Sequence, residues 1–119
     1  MITGFVTSNA EAVISLRVHG QEAQEVQIVA VVDTGFDGSL TLRPGIIAAL
    51  DLVWRRRGGA ILADGSAIQF DVYEATVDWD GELRRIAVDE ADTAPLVGMA
   101  LMNGFELRIQ VVDGGTAIL

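Results

Sequence analysis

Asp33-Thr34-Gly35 follows directly on the apolar run Ile28-Val29-Ala30-Val31-Val32. A buried, largely β-branched run of this kind reads as a strand, and Asp-Thr-Gly at its end delivers a carboxylate into a tight turn. The Thr34 hydroxyl can tie the turn to its neighbours, and Gly35 permits backbone angles that other residues resist. A carboxylate held that rigidly suits general acid–base work on a bound substrate. The same residues also make an ordinary turn, because Asp-x-Gly ends strands in many all-β chains. The triplet occurs once in 119 residues, and the elements around it decide between the two readings.

Those elements are short and β-rich. Ile2–Ser8 and Ala12–His19 predict two strands around the polar turn Ser8-Asn9-Ala10-Glu11, the second with Ile14, Leu16 and Val18 alternating against Ser15 and Arg17. Gly20–Ala23 turns the chain and Glu25–Val32 is the strand feeding Asp33, with Ser39–Leu42 a short strand beyond it. Pro44–Leu50 reads as a short helix with proline in its first turn. Asp51–Arg57 extends to a break at Gly58-Gly59. Ala60–Ala63 and Ser66–Tyr73 flank Asp64-Gly65, and Glu74–Trp79 and Glu82–Val88 flank Asp80-Gly81, both two-residue hairpin signals. Pro95–Gly98 is a short strand ending in glycine, Met99–Asn103 one helical turn closed by Gly104, and Phe105–Val112 and Thr116–Leu119 the last strands. Val31–Gly35 before Pro44–Leu50, and Pro95–Gly98 before Met99–Met102, share a plan of apolar strand, glycine and apolar helix, a weak internal pseudo-symmetry.

Composition supports an all-β chain in a single domain, residues 1–119. Half the residues are hydrophobic, which argues against disorder, and 13 glycines against two prolines suit many strands joined by tight turns. With no cysteine, a disulfide framework, a thiolate nucleophile and a thiolate metal site are excluded. The opening Met-Ile-Thr-Gly-Phe-Val-Thr-Ser lacks the basic start and apolar core of a secretory signal, and no apolar run approaches the ~20 residues of a bilayer span. The expected compartment is the cytoplasm, with no membrane partner. All eight basic residues are arginines, set against 17 acids for a formal charge of −9, which argues against nucleic acid. Arg55-Arg56-Arg57 is the one basic cluster and reads as a solvated strand or loop, and His19 as a strand-surface residue.

In this order the motifs resemble the retropepsin-like aspartic proteases, the single-domain class of retroviruses, retrotransposons and some bacteria. The resemblance rests on the strand with Asp33-Thr34-Gly35, on Ser39-Leu40-Thr41-Leu42, on the hairpin Leu62-Ala63-Asp64-Gly65-Ser66, and on Leu96-Val97-Gly98-Met99, similar to that class's aliphatic pair before a glycine. Together they span most of the chain. Two positions depart from the pattern. Phe36 stands where alanine usually follows the triplet, a variant associated with a bacterial subgroup. Ala100 stands where many retrotransposon-type members carry an acid. Phe36 either borders the substrate and narrows the cleft or is a core aromatic.

The resemblance implies a closed, barrel-like sheet with a flap hairpin and one or two short helices. It implies a homodimer in which Asp33 faces its symmetry mate, the two sharing one proton, one carboxylate activating water and the other polarising a peptide carbonyl. Thr34 and Gly35 would hold the dyad, with the paired threonines bracing the two loops across the axis. Ala63, Asp64, Gly65 and Ser66 would form a mobile flap that, with Phe36, grips an extended peptide or protein substrate. Leu96, Val97 and Gly98 would pack beneath the active-site loop. The strands at the two ends of the chain would either interleave with the partner's or pair within one subunit. No metal or other cofactor is implied. Two other readings stay open: a catalytically silent dimer of this fold serving as a binding or assembly module, and an unrelated monomeric β-barrel with Asp33 on a surface turn.

Overall fold

A computed structural model describes residues 1–119. Strands β1 (Thr3–Val6), β2 (Ala12–His19) and β3 (Glu25–Val32) form an antiparallel meander, with Phe5 opposite Val13 and Leu16 opposite Ile28. The alternation in β2 is realised in space, Ile14, Leu16 and Val18 being buried while Ser15 and Arg17 are exposed. After Asp33 come β4 (Leu40–Leu42), buried throughout, and helix α1 (Pro44–Ala49), which starts on Pro44 and buries Ile47. Strands β5 (Val53–Ile61) and β6 (Ala67–Trp79) make a long hairpin, β6 and β7 (Glu82–Glu90) a second one. β8 (Leu96–Val97), α2 (Met99–Met102), β9 (Arg108–Ile109) and β10 (Thr116–Ile118) complete the chain.

The ten strands form one sheet in the order β5-β6-β7-β4-β8-β3-β2-β1-β10-β9. A further antiparallel pairing of β2 with β6, Val18 opposite Val77, curls the sheet onto itself. Two parallel pairs carry the centre: β3 with β8 (Val32 opposite Val97) and β4 with β7 (Leu40 opposite Val88). Leu40 also faces Val97 antiparallel, which locks the two pairs together. Strands β3 and β8 are the two strands of the pseudo-symmetric plan, and they lie side by side.

The main core is a cluster of 18 buried residues. Leu40, Val77, Val88 and Val97 have no exposed surface, and Trp79 is held edge-on to Phe105 at 5.7 Å between ring centroids. Each large aliphatic buried this way stabilises the fold by about 1.5–3 kcal/mol. The core therefore sits directly beneath the ends of β3 and β8.

Three local expectations differ, and the pairing of the end strands, left open by the sequence, falls within the chain. Strand β5 runs through Gly58-Gly59 without a break. Gly58 pairs with Phe70, and a Cβ there would stand 2.5 Å from the Phe70 ring, so the glycine accommodates an aromatic from the neighbouring strand. Phe105–Val112 is strand only at Arg108–Ile109, because Phe105 and Leu107 turn into the main core instead. The first and last strands pair within the chain, Ile2 and Leu119 exchanging both backbone bonds at 3.0 and 2.9 Å. The two Asp-Gly turns also differ. Asp80 and Gly81 both have positive φ (53° and 85°) in a two-residue turn between the paired Trp79 and Glu82, as a primed hairpin turn requires. At the first hairpin only Gly65 does (86°), and the Leu62 amide bonds the Ser66 carbonyl, giving a three-residue loop with a glycine bulge.

Candidate active site

Asp33 leaves the sheet one residue beyond the Val32–Val97 pair, and its amide donates to the Val97 carbonyl at 2.9 Å. The chain then turns at once: the Phe36 amide donates to the Asp33 carbonyl at 3.2 Å, and the Gly35 amide donates to Asp33 Oδ1 at 2.9 Å. The carboxylate is thus fixed at one oxygen by its own turn, while the side chain remains half-exposed. Gly35 does not use a left-handed backbone, contrary to the expectation from its type. A Cβ there would lie 3.2 Å from Asp33 Oδ1, so glycine leaves room for the carboxylate. Thr34 is exposed, and its hydroxyl makes no hydrogen bond within the chain.

The segment Leu96–Ala100 lies against this loop. Gly98 donates to Ser39, Met99 to Phe36 and Ala100 to Gly38, at 3.0, 2.8 and 3.1 Å. A Cβ on Gly98 would come within 2.1 Å of the Gly38 carbonyl oxygen and 2.5 Å of the Phe36 ring. The approach is possible only for glycine. Phe36 is half-buried, its ring resting on Gly38 and Gly98, and it also lines the cleft described next. Of the two places the sequence left open, it takes the cleft wall and not the hydrophobic core.

A cleft of about 820 Å³ separates the β5–β6 hairpin from the Asp33 loop. Its floor is Gly35, Phe36 and Asp37, and its roof is Gly59–Ile61 and Ile68–Phe70. The hairpin stem, not its tip, lines the cleft: Ala63, Asp64, Gly65 and Ser66 lie beyond it. At that tip the Ser66 hydroxyl and amide both donate to Asp64 Oδ1, at 2.6 and 2.9 Å, which holds the Asp64 carboxyl below the usual carboxylate range.

The third wall was not foreseen. It consists of Asp89, Glu90, Ala91 and Asp92, at the end of β7. Burial pushes the Asp89 carboxyl up, against the opposing pull of Arg56, and Asp37 adds to the rise. Only the parallel pairing of β4 with β7, Thr41 opposite Asp89, brings these acids to the cleft. No local motif announces them. Ile61, Ile68 and Phe70 were legible as strand residues but not as cleft residues.

Elsewhere, a depression of about 550 Å³ between Arg55, Tyr73 and Arg85 holds Arg55 and Arg56 of the basic cluster but none of the candidate site residues, and Arg55 and Arg85 both pair with Glu74. His19 is half-buried at the end of β2, its ring between Asp78 (3.3 Å) and Glu25 (3.6 Å).

No protein-family model matches the sequence, and no curated protein matches it either. Solved structures do. The EIAV protease complexed with the inhibitor HBY-793 superimposes with a TM-score of 0.60 at 16% identity, over 81% of this chain and 90% of that one. A retropepsin-like aspartic protease from Rickettsia conorii gives 0.62 at 17% identity, over 97% of this chain and 86% of that one. The fold is therefore the all-β fold of the retropepsin-like aspartic proteases, as the order of motifs implied.

Proposed function

We propose that the chain is an aspartic endopeptidase that works as a homodimer, with one Asp33 from each copy forming the catalytic pair. The observation that carries this reading is the Asp33 carboxylate, fixed at a strand end by the Gly35 amide, in a loop whose next residues, Gly35, Phe36 and Asp37, floor a cleft roofed by a hairpin. The fold is one in which aspartic proteases occur. One such chain supplies one carboxylate and one cleft, which is half of what the reaction needs.

In the pair, two carboxylates a few ångströms apart cannot both ionise cheaply, so they share one proton. The ionised member takes a proton from a bound water, and the oxygen attacks the peptide carbonyl. The protonated member donates to the carbonyl oxygen as charge develops there. The unpartnered Thr34 hydroxyl is available to brace the opposite loop. The peptide lies extended between Phe36 below and Ile61, Ile68 and Phe70 above, which favours apolar side chains at the scissile bond. The β5–β6 hairpin acts as the flap, with Asp64-Gly65 at its tip, and its closure excludes water. Leu96, Val97 and Gly98 support the loop from below.

The test is incubation of the purified protein with a diverse peptide library between about pH 4 and 7, where a coupled carboxylate pair can hold one proton. Asp33→Asn and a transition-state-analogue inhibitor of aspartic proteases run in parallel. Cleavage abolished by both supports the reading. A folded dimer that shows no Asp33-dependent cleavage is instead a binding or assembly module on the same fold.

A further inference from the structure

We infer that the second copy of the chain docks on an apolar groove beside Asp33, and that the first and last strands remain paired within their own chain. The inference rests on the dimeric reading above and names its interface. The groove holds about 270 Å³, and seven of its nine lining residues are apolar. Ala10, Val31, Val32, Ile109 and Val111 form it, and Asp33 stands on its rim. The depression continues past Val111 to Val112 and Asp113.

Val111 and Val112 are the large exposed apolar residues on this groove and its continuation. They sit in the turn between β9 and β10, 68% and 54% exposed, although both are β-branched and apolar. The turn is nevertheless well braced: Val112 donates to Gln110 at 2.9 Å, Gly115 to Val112 at 2.8 Å, and Gly114 to Val6 of β1 at 2.9 Å. The result is an ordered apolar shelf that no segment of its own chain covers. It adjoins the one carboxylate that needs a mate, so the site is incomplete without the copy that would cover the shelf. A two-fold contact presents the same patch from both copies, which suits a groove with its reactive residue on the rim. Charge points the same way. At −9 per chain, two copies repel over most of their surfaces, and Glu11, Asp33 and Asp113 are the only charged residues of the groove and its continuation, against 17 acids in the chain.

Exchange of the first and last strands between copies has its residues already committed. Ala117 is fully buried, Leu119 is in the main core, and Ile2 and Leu119 hold each other by two backbone bonds. β9, with Ile109 on the groove, is the free edge of the sheet on this side.

Sedimentation over a range of concentrations, with circular dichroism for the fold, tests this on the wild type, on Val111→Asp and Val112→Asp, and on Leu83→Asp as control. Leu83 is equally exposed (67%) but lies in the second hairpin, outside the groove. The expected result is a reversible wild-type dimer whose dissociation constant rises at least about tenfold in a folded Val111→Asp or Val112→Asp protein and is unchanged in Leu83→Asp. Groove variants that dimerise like the wild type, or a wild type that stays monomeric, overturn the inference. Peptidase activity separates it from the reading it rests on. Groove-dependent dimers without Asp33-dependent cleavage keep the interface and remove the protease. Undiminished cleavage by dimeric groove variants removes the interface and keeps the protease.

Discussion

The two sides of the β3–β8 pair are finished to different degrees. Beneath it, Leu40, Val88, Val97 and Trp79 are sealed from solvent, and one chain supplies every wall of that interior. Beyond its end, Asp33 is half-exposed, Ile61 and Ile68 are bare on the hairpin, and Val111 and Val112 are bare beside the carboxylate. A chain that buries Trp79 to 1% exposure is able to bury its apolar residues. In the reading proposed above, Ile61 and Ile68 meet substrate and Val111 and Val112 meet a second copy, whereas Leu83, exposed to 67%, has no such role. One side is a completed core and the other, in that reading, is half of a site.

Substitutions on the two sides should separate function from stability. Asp33→Asn should lower peptide cleavage at least about 10³-fold, within the range for loss of a general acid–base group. It should shift unfolding by less than about 1 kcal/mol, because asparagine keeps the oxygen that accepts from Gly35. Trp79→Ala, on the sealed side, should cost about 3–5 kcal/mol in denaturant unfolding, with activity falling only as folded protein is lost. Gly98→Ala straddles the two. Its φ of −105° suits alanine, so the penalty is the clash with the Gly38 carbonyl and the Phe36 ring. A loss of about 3 kcal/mol, together with activity lost beyond the unfolded fraction, would show that the segment supports the Asp33 loop. Equal loss of both would assign Gly98 to the core alone.

The smallest effect is a pH dependence. Asp89 has its carboxyl raised mainly by burial, so its protonated form is favoured in the fold. Its favourable contribution is complete below the unfolded carboxylate value and is lost as pH rises through the higher folded one. Asp89→Asn should therefore raise the melting temperature at pH 7, and the gain should fade towards pH 3. A gain that persists in acid would mean that packing, not charge, limits this wall of the cleft.

The strand pattern was legible because the side-chain period survives folding: Ala12–His19 and Glu25–Val32 are strands over the expected residues. What failed locally was decided by partners elsewhere. Gly58-Gly59 looks like a break until Phe70 is laid across it. The two Asp-Gly pairs are identical as dipeptides, yet their turns differ according to whether the aspartate also takes a positive φ. Asp33, Thr34 and Gly35 could be singled out as one local motif. The acids Asp89, Glu90 and Asp92 could not, since a parallel pairing across some 50 residues brings them to the cleft.

The most direct test of the central claim mixes the wild type with Asp33→Asn at a fixed total concentration and follows cleavage after the chains exchange. If each active site takes one Asp33 from each of two chains, an equal mixture retains about a quarter of the wild-type rate, because mixed dimers are inactive and pairing is random. A rate falling only to about half would mean that each chain carries a complete site of its own, and would contradict the account.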